Sequence, residues 1–382
     1  MSRDLIITCV SLLIWGIGEG MFFEFRSLYL EQLGADPVAI GTILSVTSIL
    51  MIFVHIPAGY LSDRIGRRGV MWAAWFLGVL STWLMAFAGS LTLFAIGLGI
   101  YRTTAFVSAP MNSYVTAARG KMRVAQAMTL VSAMYNVGAI LGPTIGGLVG
   151  EQLGLGKVYL LAAVLFTLST AVILNIKAQP VQPSAAVEQQ QNGFRLGKQY
   201  WLILGLFFLA TFALFLPQSL APNFLQNERG VSLAQMGRLF SISSIGVVVV
   251  HLIFGQLDAG LGFILSLLTA GTFSALLWQG TGMGGYALGY FMLGGFRTNR
   301  LMASAKVQEM VAESQMGLAY GLLESVGAAA VMLSPLLAGY LYDNQPAAMY
   351  PVSLVLVAGV LILSVVFVLW QRRKIGKATE QP

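Results

Sequence analysis

The chain has 382 residues, of which 57% are hydrophobic and only 10% are charged, and its formal net charge is +7. Soluble globular proteins carry about 25% charged residues, so this chain has too little charge to cover a water-exposed surface. Cys9 is the only cysteine, which excludes a disulfide-stabilised scaffold. The composition therefore indicates a polytopic membrane protein.

Apolar runs separated by short polar breaks predict an all-α integral membrane protein. The runs are continuous and do not alternate, which favours helices over barrel strands. A spanning helix needs about 20 apolar residues, so twelve use about 240 residues and leave only short loops. We predict twelve transmembrane helices, called predicted helices 1 to 12, at 5–30, 38–58, 69–89, 92–117, 125–149, 158–176, 200–225, 236–256, 262–279, 285–306, 316–340 and 350–370.

The distribution of lysine and arginine predicts the orientation of the chain. With the N-terminus inside, fifteen of these residues fall in inner segments and three in outer ones, and positive charge favours the cytoplasmic side. Both termini are therefore expected in the cytoplasm, in the cell inner (plasma) membrane. The inner set is Arg3, Arg64, Arg67, Arg68, Arg119, Lys121, Arg123, Lys177, Arg195, Lys198, Lys306, Arg372, Arg373, Lys374 and Lys377, and the outer set is Lys157, Arg229 and Arg238.

A polar segment rich in proline and glutamine divides the chain near its middle. It predicts an N-terminal six-helix bundle at 1–177, a cytoplasmic linker at 178–198, and a C-terminal six-helix bundle with a short basic tail at 199–382. The halves are related, because eight identities recur in order at an offset of 196 residues. These positions are Gly34, Gly41, Ser45, Ser48, Ile49, His55, Gly59 and Leu61. Duplicated six-helix units are a transporter architecture with pseudo-symmetric halves.

The segment after predicted helix 2 reads Gly-Tyr-Leu-Ser-Asp-Arg-Ile-Gly-Arg-Arg over residues 59–68. It resembles the signature G-x-L-x-D-R-x-G-R-R of the major facilitator superfamily at every defined position. The resemblance implies the twelve-helix fold of that superfamily and a latch that closes the cytoplasmic side of the outward-facing state. The latch residues implied are Gly59, Asp63, Arg64, Gly66, Arg67 and Arg68.

Predicted helix 5 carries a second motif, G-x-x-x-G-P-x-x-G-G. Small residues let two membrane helices pack backbone to backbone, and a proline bends the helix. The motif resembles one associated with antiporters of the same superfamily, which implies exchange transport. Ordinary helix packing is the alternative interpretation. The motif residues are Gly138, Gly142, Pro143, Gly146 and Gly147.

Charged residues within the predicted spans are candidates for proton coupling. Each costs about 2.5–3.5 kcal/mol at a lipid-facing helix centre, so most are expected to face protein, a partner or water. Glu19 and Glu324 are the candidate proton carriers, with Glu324 slightly favoured because no other charge lies on its helix and Tyr320 is one turn away. Arg102 matches the arginine of the superfamily's helix 4 motif, which implies a part in proton exchange. A purely structural Glu19–Arg102 ion pair is the alternative.

The candidate substrate-binding residues are basic and aromatic. Arg102 and Arg297 occupy equivalent positions in the two halves, and two guanidinium groups can bind a carboxylate or phosphate through paired hydrogen bonds. We therefore expect a substrate with an anionic or strongly accepting group. If the two glutamates neutralise the arginines, neutral, zwitterionic or cationic amphiphiles fit instead. The candidates are Arg26, Tyr101, Arg102, Tyr135, Arg297, Arg300 and Tyr320.

These features predict a secondary active transporter that works by alternating access, as a proton-coupled exporter of a small organic molecule or amphiphile. Proton-coupled uptake of an organic anion and lipid translocation are the alternatives. A primary pump is disfavoured because the chain has no phosphate-binding loop. An enzyme is the least expected class, because the chain lacks G-x-S-x-G, H-E-x-x-H and metal-ligand spacing and has only two histidines and one cysteine. The expected partners are the substrate, protons and membrane lipids. No nucleic acid, cofactor or metal is expected, and the protein is expected to be a monomer.

The orientation leads to a labelling prediction. In a variant whose native cysteine is replaced by alanine, Ala185→Cys should react in intact cells with a membrane-permeant maleimide and not with an impermeant one, because the linker is expected inside. Glu228→Cys, in a predicted outer loop, should react with both reagents. Labelling of Ala185→Cys by the impermeant reagent would contradict the predicted orientation.

Overall fold

The computed structural model describes residues 1–50, 66–179, 197–311 and 316–379. All regular secondary structure in these ranges is helical, which confirms the all-α fold class. The first half of the chain contains α1 (Arg3–Phe22), α2 (Arg26–Gln32), α3 (Pro37–Leu50), α4 (Arg67–Ala86), α5 (Leu91–Thr103), α6 (Ser108–Ala118), α7 (Val124–Leu153) and α8 (Leu155–Ile173). The second half contains α9 (Lys198–Gln218), α10 (Ala221–Asn227), α11 (Leu233–Phe254), α12 (Ala259–Gln279), α13 (Met283–Met292), α14 (Gly294–Gln308), α15 (Met316–Asn344) and α16 (Met349–Thr379).

Nine helical stretches in the described ranges are long and apolar enough to cross a membrane. A tenth results if Leu91–Val107 and Pro110–Ala118, bent by 42°, form one broken span. Predicted helix 2 corresponds to the shorter α3, which ends where the described range ends, and predicted helix 10 corresponds to α13 and α14. The protein is therefore a multi-pass membrane protein, and the number of twelve spans stays a prediction.

The chain forms two compact units. Unit 1 comprises Met1–Asn192 and Leu225–Ser241, and unit 2 comprises Gly193–Phe224 and Ile242–Pro382. The N-terminal part of α11 belongs to unit 1 because it packs on α7, where Thr144 and Ser241 share a hydrogen bond of 2.8 Å. The domain limits drawn from the linker stay predictions.

Unit 1 is organised around a close contact between α1 and α7. A Cβ atom added to Gly138 would lie 2.5 Å from the carbonyl oxygen of Leu13 and 2.6 Å from the amide nitrogen of Ile17. One added to Gly142 would lie 2.8 Å from the Cα of Gly20. Real side chains do not fit at such distances, so the helix 5 motif brings two helical backbones into direct contact.

In each unit, hydrogen bonds to serine hydroxyls join three equivalent helices: α1, α4 and α8 in unit 1, and α9, α12 and α16 in unit 2. The equivalence is a structural trace of the duplication. In unit 1, Trp75 on α4 donates to Ser11 on α1 at 2.9 Å and to Ser169 on α8 at 3.0 Å. In unit 2, Ser353 on α16 donates to the carbonyl of Ala213 on α9 at 2.7 Å and contacts Ser274 on α12 at 3.1 Å. Buried hydroxyls can be satisfied within a membrane bundle only by such interhelical or local backbone bonds.

The first membrane span is broken by a short 3-10 segment, Phe23–Phe25, between α1 and α2. The backbone of Phe23 still donates to the carbonyl of Glu19, so the chain turns without losing the last helical hydrogen bond of α1. Tighter 3-10 winding in mid-helix changes the direction of the side chains that follow. The break therefore places Phe23 and Arg26 differently from a continuous helix.

Replacement of a motif glycine tests the backbone contact. Gly142→Ala should lower the apparent Tm in detergent, because the new methyl group overlaps α1, and overpacking costs about 1–3 kcal/mol. Gly205→Ala is the matched control: Gly205 is also helical, and a Cβ there meets nothing within 4 Å. Its Tm should stay unchanged or rise, because alanine favours helix. Equal behaviour of the two variants would contradict the packing role.

Candidate functional site

Of the latch motif, only residues 66–68 are described. Gly59, Asp63 and Arg64 lie outside the described residues. Gly66 precedes α4 with a φ of +83°, a conformation that favours glycine. The roles of these residues as a latch stay predictions.

The two following arginines contact neighbouring elements of unit 1. Arg67 donates to the carbonyl of Ser113 at 3.3 Å and to the side chain of Gln179 at 3.4 Å. The Arg68 guanidinium lies 4.5 Å from the ring centre of Trp72 on its own helix. Arg67 therefore ties α4 to α6 and to the segment that follows α8.

Glu19 lies half-buried on α1 and accepts hydrogen bonds from aromatic side chains. Tyr135 on α7 donates its hydroxyl to Oε2 at 2.9 Å, and Trp15 donates its indole N–H to the same oxygen at 3.2 Å. The α1–α7 backbone contact lies at the same level, because Gly16 packs against the backbone of Tyr135 and Ala139. Two candidates from different helices, Glu19 and Tyr135, are thus in direct contact.

The predicted candidate Tyr101 is buried in an aromatic cluster of unit 1. Its ring centre lies 5.1 Å from that of Phe22 and 5.9 Å from that of Phe166, and it stacks on Trp15 at 6.5 Å. Trp15 in turn packs on Phe166 at 4.2 Å. This cluster forms an apolar wall beside Glu19.

Arg26 and Arg102 both contact one ring, that of Phe23. The guanidinium carbon of Arg26 lies 4.1 Å from the ring centre, and that of Arg102 lies 4.9 Å from it. Arg26 also donates to the carbonyl oxygen of Phe23 and lies 3.9 Å from the Glu24 carboxylate. The 3-10 break and the last turn of α5 together bring these two cations to the same aromatic side chain.

The unit 2 candidates form a different arrangement. Arg300 on α14 donates from Nε to Oε1 of Glu324 on α15 at 2.9 Å, and its Nη2 donates to Oε2 of the same carboxylate. The side chains of Arg300 and Glu324 are 60% and 49% exposed. Glu324 thus has a charged partner from a neighbouring helix. Arg297 is exposed, and Tyr320 is half-buried against the unit 2 core.

Sequence reasoning did not select two residues that make these contacts, Phe23 and Glu151. Phe23 was one of several aromatic residues that could line a cavity, and its contact with both arginines was not predicted. Glu151, at the end of α7, accepts from the Ser232 hydroxyl at 2.6 Å and from the amide of Ala234 at 2.7 Å, at the start of α11. The pattern Ser-x-x-Gln at 232–235 is a helix N-terminal signature that locates the start of α11 but does not indicate its contact with Glu151. In the described ranges, no group of three or more His, Cys, Asp or Glu residues could hold a metal ion.

The fold and these buried charges define a polytopic helical membrane protein with a duplicated core. A sequence profile of the Major Facilitator Superfamily matches residues 5–296, so the chain belongs to this superfamily. Its members are transporters, and this chain is a multi-pass membrane transporter.

Two relatives show how far the sequence similarity extends. The tetracycline resistance protein, class B, of Escherichia coli is 24% identical over 373 residues, which cover 90% of each chain. An uncharacterised MFS-type transporter of Methanocaldococcus jannaschii is 25% identical over 158 residues, 41% of this chain and 40% of that protein.

Solved structures share the fold at lower identity. A mutant of the nucleoside transporter NupG has a TM-score of 0.80 at 15% identity and covers 96% of this chain and 98% of its own. The human organic anion transporter MFSD10 has a TM-score of 0.66 at 17% identity, with 95% and 99% coverage. These similarities concern the fold alone.

The shared ring leads to a stability prediction. Phe23→Leu should lower the stability of the protein by about 1–3 kcal/mol, because two guanidinium groups each lose a cation–π contact. Thermal unfolding in detergent measures the change. Phe87→Leu is the control, because Phe87 is 71% exposed at the end of α4. A Tm for Phe23→Leu equal to that of the control would show that the ring contributes nothing.

Proposed function

We propose that the protein is a secondary active transporter that exports a small organic molecule in exchange for protons. Support for export comes from relatives whose names describe efflux or resistance: the class B tetracycline resistance protein, the multidrug resistance protein MdtG of Serratia proteamaculans and the efflux pump homologue PmrA of Lactococcus lactis. Support for exchange comes from the helix 5 motif. We also place the protein in the plasma membrane, as a monomer with both termini cytoplasmic.

The observation that carries the proposal is the environment of Glu19. A carboxylate within a membrane span is costly while it is ionised, and a bound proton removes that cost. Tyr135 and Trp15, which donate to Glu19, are neutral and can stay in place in both protonation states. Glu19 can therefore keep both of these hydrogen bonds when it binds or releases a proton.

Glu324 is less suited to carry the proton. A proton on its carboxylate would leave the guanidinium of Arg300 without the charge that it now contacts through two hydrogen bonds. We therefore assign the coupling proton to Glu19 and a structural role to the Arg300–Glu324 pair.

The α1–α7 contact supports the same assignment. Because Gly138, Gly142 and Gly146 hold α1 and α7 backbone to backbone, the hydrogen bond between Glu19 and Tyr135 joins two helices at a fixed spacing. Packed elements of this kind have discrete arrangements, which suits a conformational switch. Pro143 lies inside α7 next to this contact.

Proton-coupled uptake of an organic anion is the second candidate function. The Arg26 and Arg102 pair on Phe23 favours it, because two guanidinium groups on one ring can donate hydrogen bonds to an anionic group. Export is preferred because the relatives named above are efflux or resistance proteins. The direction of net transport separates the two functions.

Glu19→Gln tests the proton site in proteoliposomes. The wild-type protein should expel tetracycline, ethidium or 2-naphthalenesulfonate when the outside is made acidic. Glu19→Gln should lose this driven efflux by at least tenfold and keep exchange at equal pH, because the amide keeps the shape but cannot titrate.

Two further variants complete the experiment. Glu309→Gln, which alters an exposed carboxylate paired with Lys306, should behave like the wild type. Glu324→Gln should also retain a dependence on the gradient. If Glu19→Gln expels the probes at the wild-type rate under a pH gradient, proton coupling does not depend on Glu19. If the wild type expels none of the three probes, the proposed export is contradicted.

A further inference from the structure

The pair of arginines on Phe23 has a chemistry that general export of an amphiphile does not require. We propose that Arg26, Phe23 and Arg102 form a subsite for an oxyanion, a carboxylate, sulfonate or phosphate group, carried by an aromatic substrate. This inference rests on the proposed transport function, because it specifies the class of molecule that unit 1 binds.

The two arginines lie in the electrostatic field of two carboxylates, Glu24 and Glu19, so the group becomes net positive when Glu19 binds a proton. In the described residues, Arg26 has one carboxylate partner, Glu24, whose side chain is 44% exposed and whose nearest oxygen is 3.9 Å away. Arg102 makes no ion pair within 4 Å and no hydrogen bond with any part of the chain that the structure describes, and contacts Phe23 only through its ring face. Cations in membrane spans are rare and pair with charges or carbonyls, so an incompletely compensated pair marks a binding pathway.

Both guanidinium groups retain a donor for a ligand. The Nε atoms of Arg26 and Arg102 are buried and find no acceptor in the described ranges. The Arg26 residue is only 9% exposed, so its donor is shielded from bulk water. A buried donor without an acceptor is costly, and hydrogen bonds from charged donors to an anion are the strongest way to satisfy it.

The distances to the common ring limit the separation of the two guanidinium groups. Because both guanidinium carbons contact the same ring, the two carbons lie at most 9.0 Å apart, the sum of 4.1 Å and 4.9 Å. If both groups approach the same edge or face of the ring, one oxyanion can accept charge-assisted bonds of about 2.8 Å from each of them. The planar fork of arginine fits the paired oxygens of such groups better than a lysine ammonium does.

The aromatic preference follows from the rings around Phe23. The Phe22 ring centre lies 6.3 Å from that of Phe23, and the Tyr101 ring centre lies 6.1 Å from it. Aromatic groups interact favourably at centroid separations of this order, in offset or edge-to-face geometry. Phe22 and Tyr101 are buried and support Phe23, which stays partly exposed. A flat aromatic body packed on Phe23 would therefore place its anionic substituent near the arginines.

Equilibrium binding to the purified full-length protein in detergent tests the subsite. The probes are 2-naphthalenesulfonate and its uncharged analogue 2-naphthalenesulfonamide, measured by isothermal titration calorimetry. The wild type should bind the sulfonate at least tenfold more tightly. Arg26→Gln and Arg102→Gln should each weaken sulfonate binding by about tenfold to a hundredfold, the effect of one lost charged hydrogen bond. Sulfonamide binding should stay unchanged, which also shows that the variants are folded.

Two further variants test whether sulfonate binding depends on the guanidinium geometry at this subsite and not on positive charge or folding in general. Arg102→Lys keeps the charge and should still weaken sulfonate binding, because the fork is lost. Arg238→Gln, an exposed arginine of unit 1, should leave both affinities unchanged. Equal wild-type affinity for the two probes, no binding of either probe, or unchanged sulfonate affinity in both arginine-to-glutamine variants would overturn the subsite and leave the arginines as structural contacts of Phe23.

The experiment is independent of the direction of transport, since it needs no gradient and no membrane. Arginine-dependent sulfonate binding by a protein that exports nothing would contradict the proposed export and retain the subsite. Gradient-driven export, combined with a sulfonate affinity that neither arginine substitution changes, would retain the proposed export and contradict the subsite.

Discussion

The close contact of α1 and α7 determines the arrangement of unit 1. Between membrane helices the hydrophobic effect gives no net attraction, so association depends on van der Waals packing and hydrogen bonds. Glycines of α7 allow the two backbones to touch, and this contact brings the Tyr135 hydroxyl to the Glu19 carboxylate. Larger residues at these positions would separate the helices and remove the shared hydrogen bond. The backbone contact and the placement of the charge are therefore one structural feature.

The proton and the anion are assigned to the same end of α1, and this has an electrostatic consequence. A bound anion favours a proton on a neighbouring carboxylate, so local electrostatics alone favours simultaneous binding of the two. Exchange then requires that unit 1 with both ligands bound cannot rearrange, whereas either singly loaded form can. In this account, the 3-10 break at Phe23–Phe25 is the element whose conformation both ligands influence, because it lies between Glu19 and Arg26. The direction of coupling is thus a property of the rearrangement and not of the site alone.

The sequence predicted the helical fold, the family and the motif glycines, because composition, run length and small-residue spacing report on the membrane environment and on close packing. It also named Glu19, Tyr135, Arg26 and Arg102 as candidates. It did not predict which of them meet, since periodicity shows which residues share a face of one helix and not which faces of two helices touch. The Arg300–Glu324 pair was missed for that reason. The contact of Arg26 and Arg102 with Phe23 was missed because it depends on a 3-10 turn that no residue pattern predicts.

Exchange of the substrate for protons is the central claim, and the proton flux that accompanies efflux tests it most directly. Proteoliposomes containing the wild-type protein can be loaded with 2-naphthalenesulfonate and a pH-sensitive dye, then diluted into probe-free medium at equal pH with the membrane potential clamped. The sulfonate stays ionised, so its own titration does not obscure the signal. The account predicts that the lumen becomes more acidic as the probe leaves, because protons enter in exchange. A lumen that becomes more alkaline during efflux would show that protons leave with the anion and would contradict exchange.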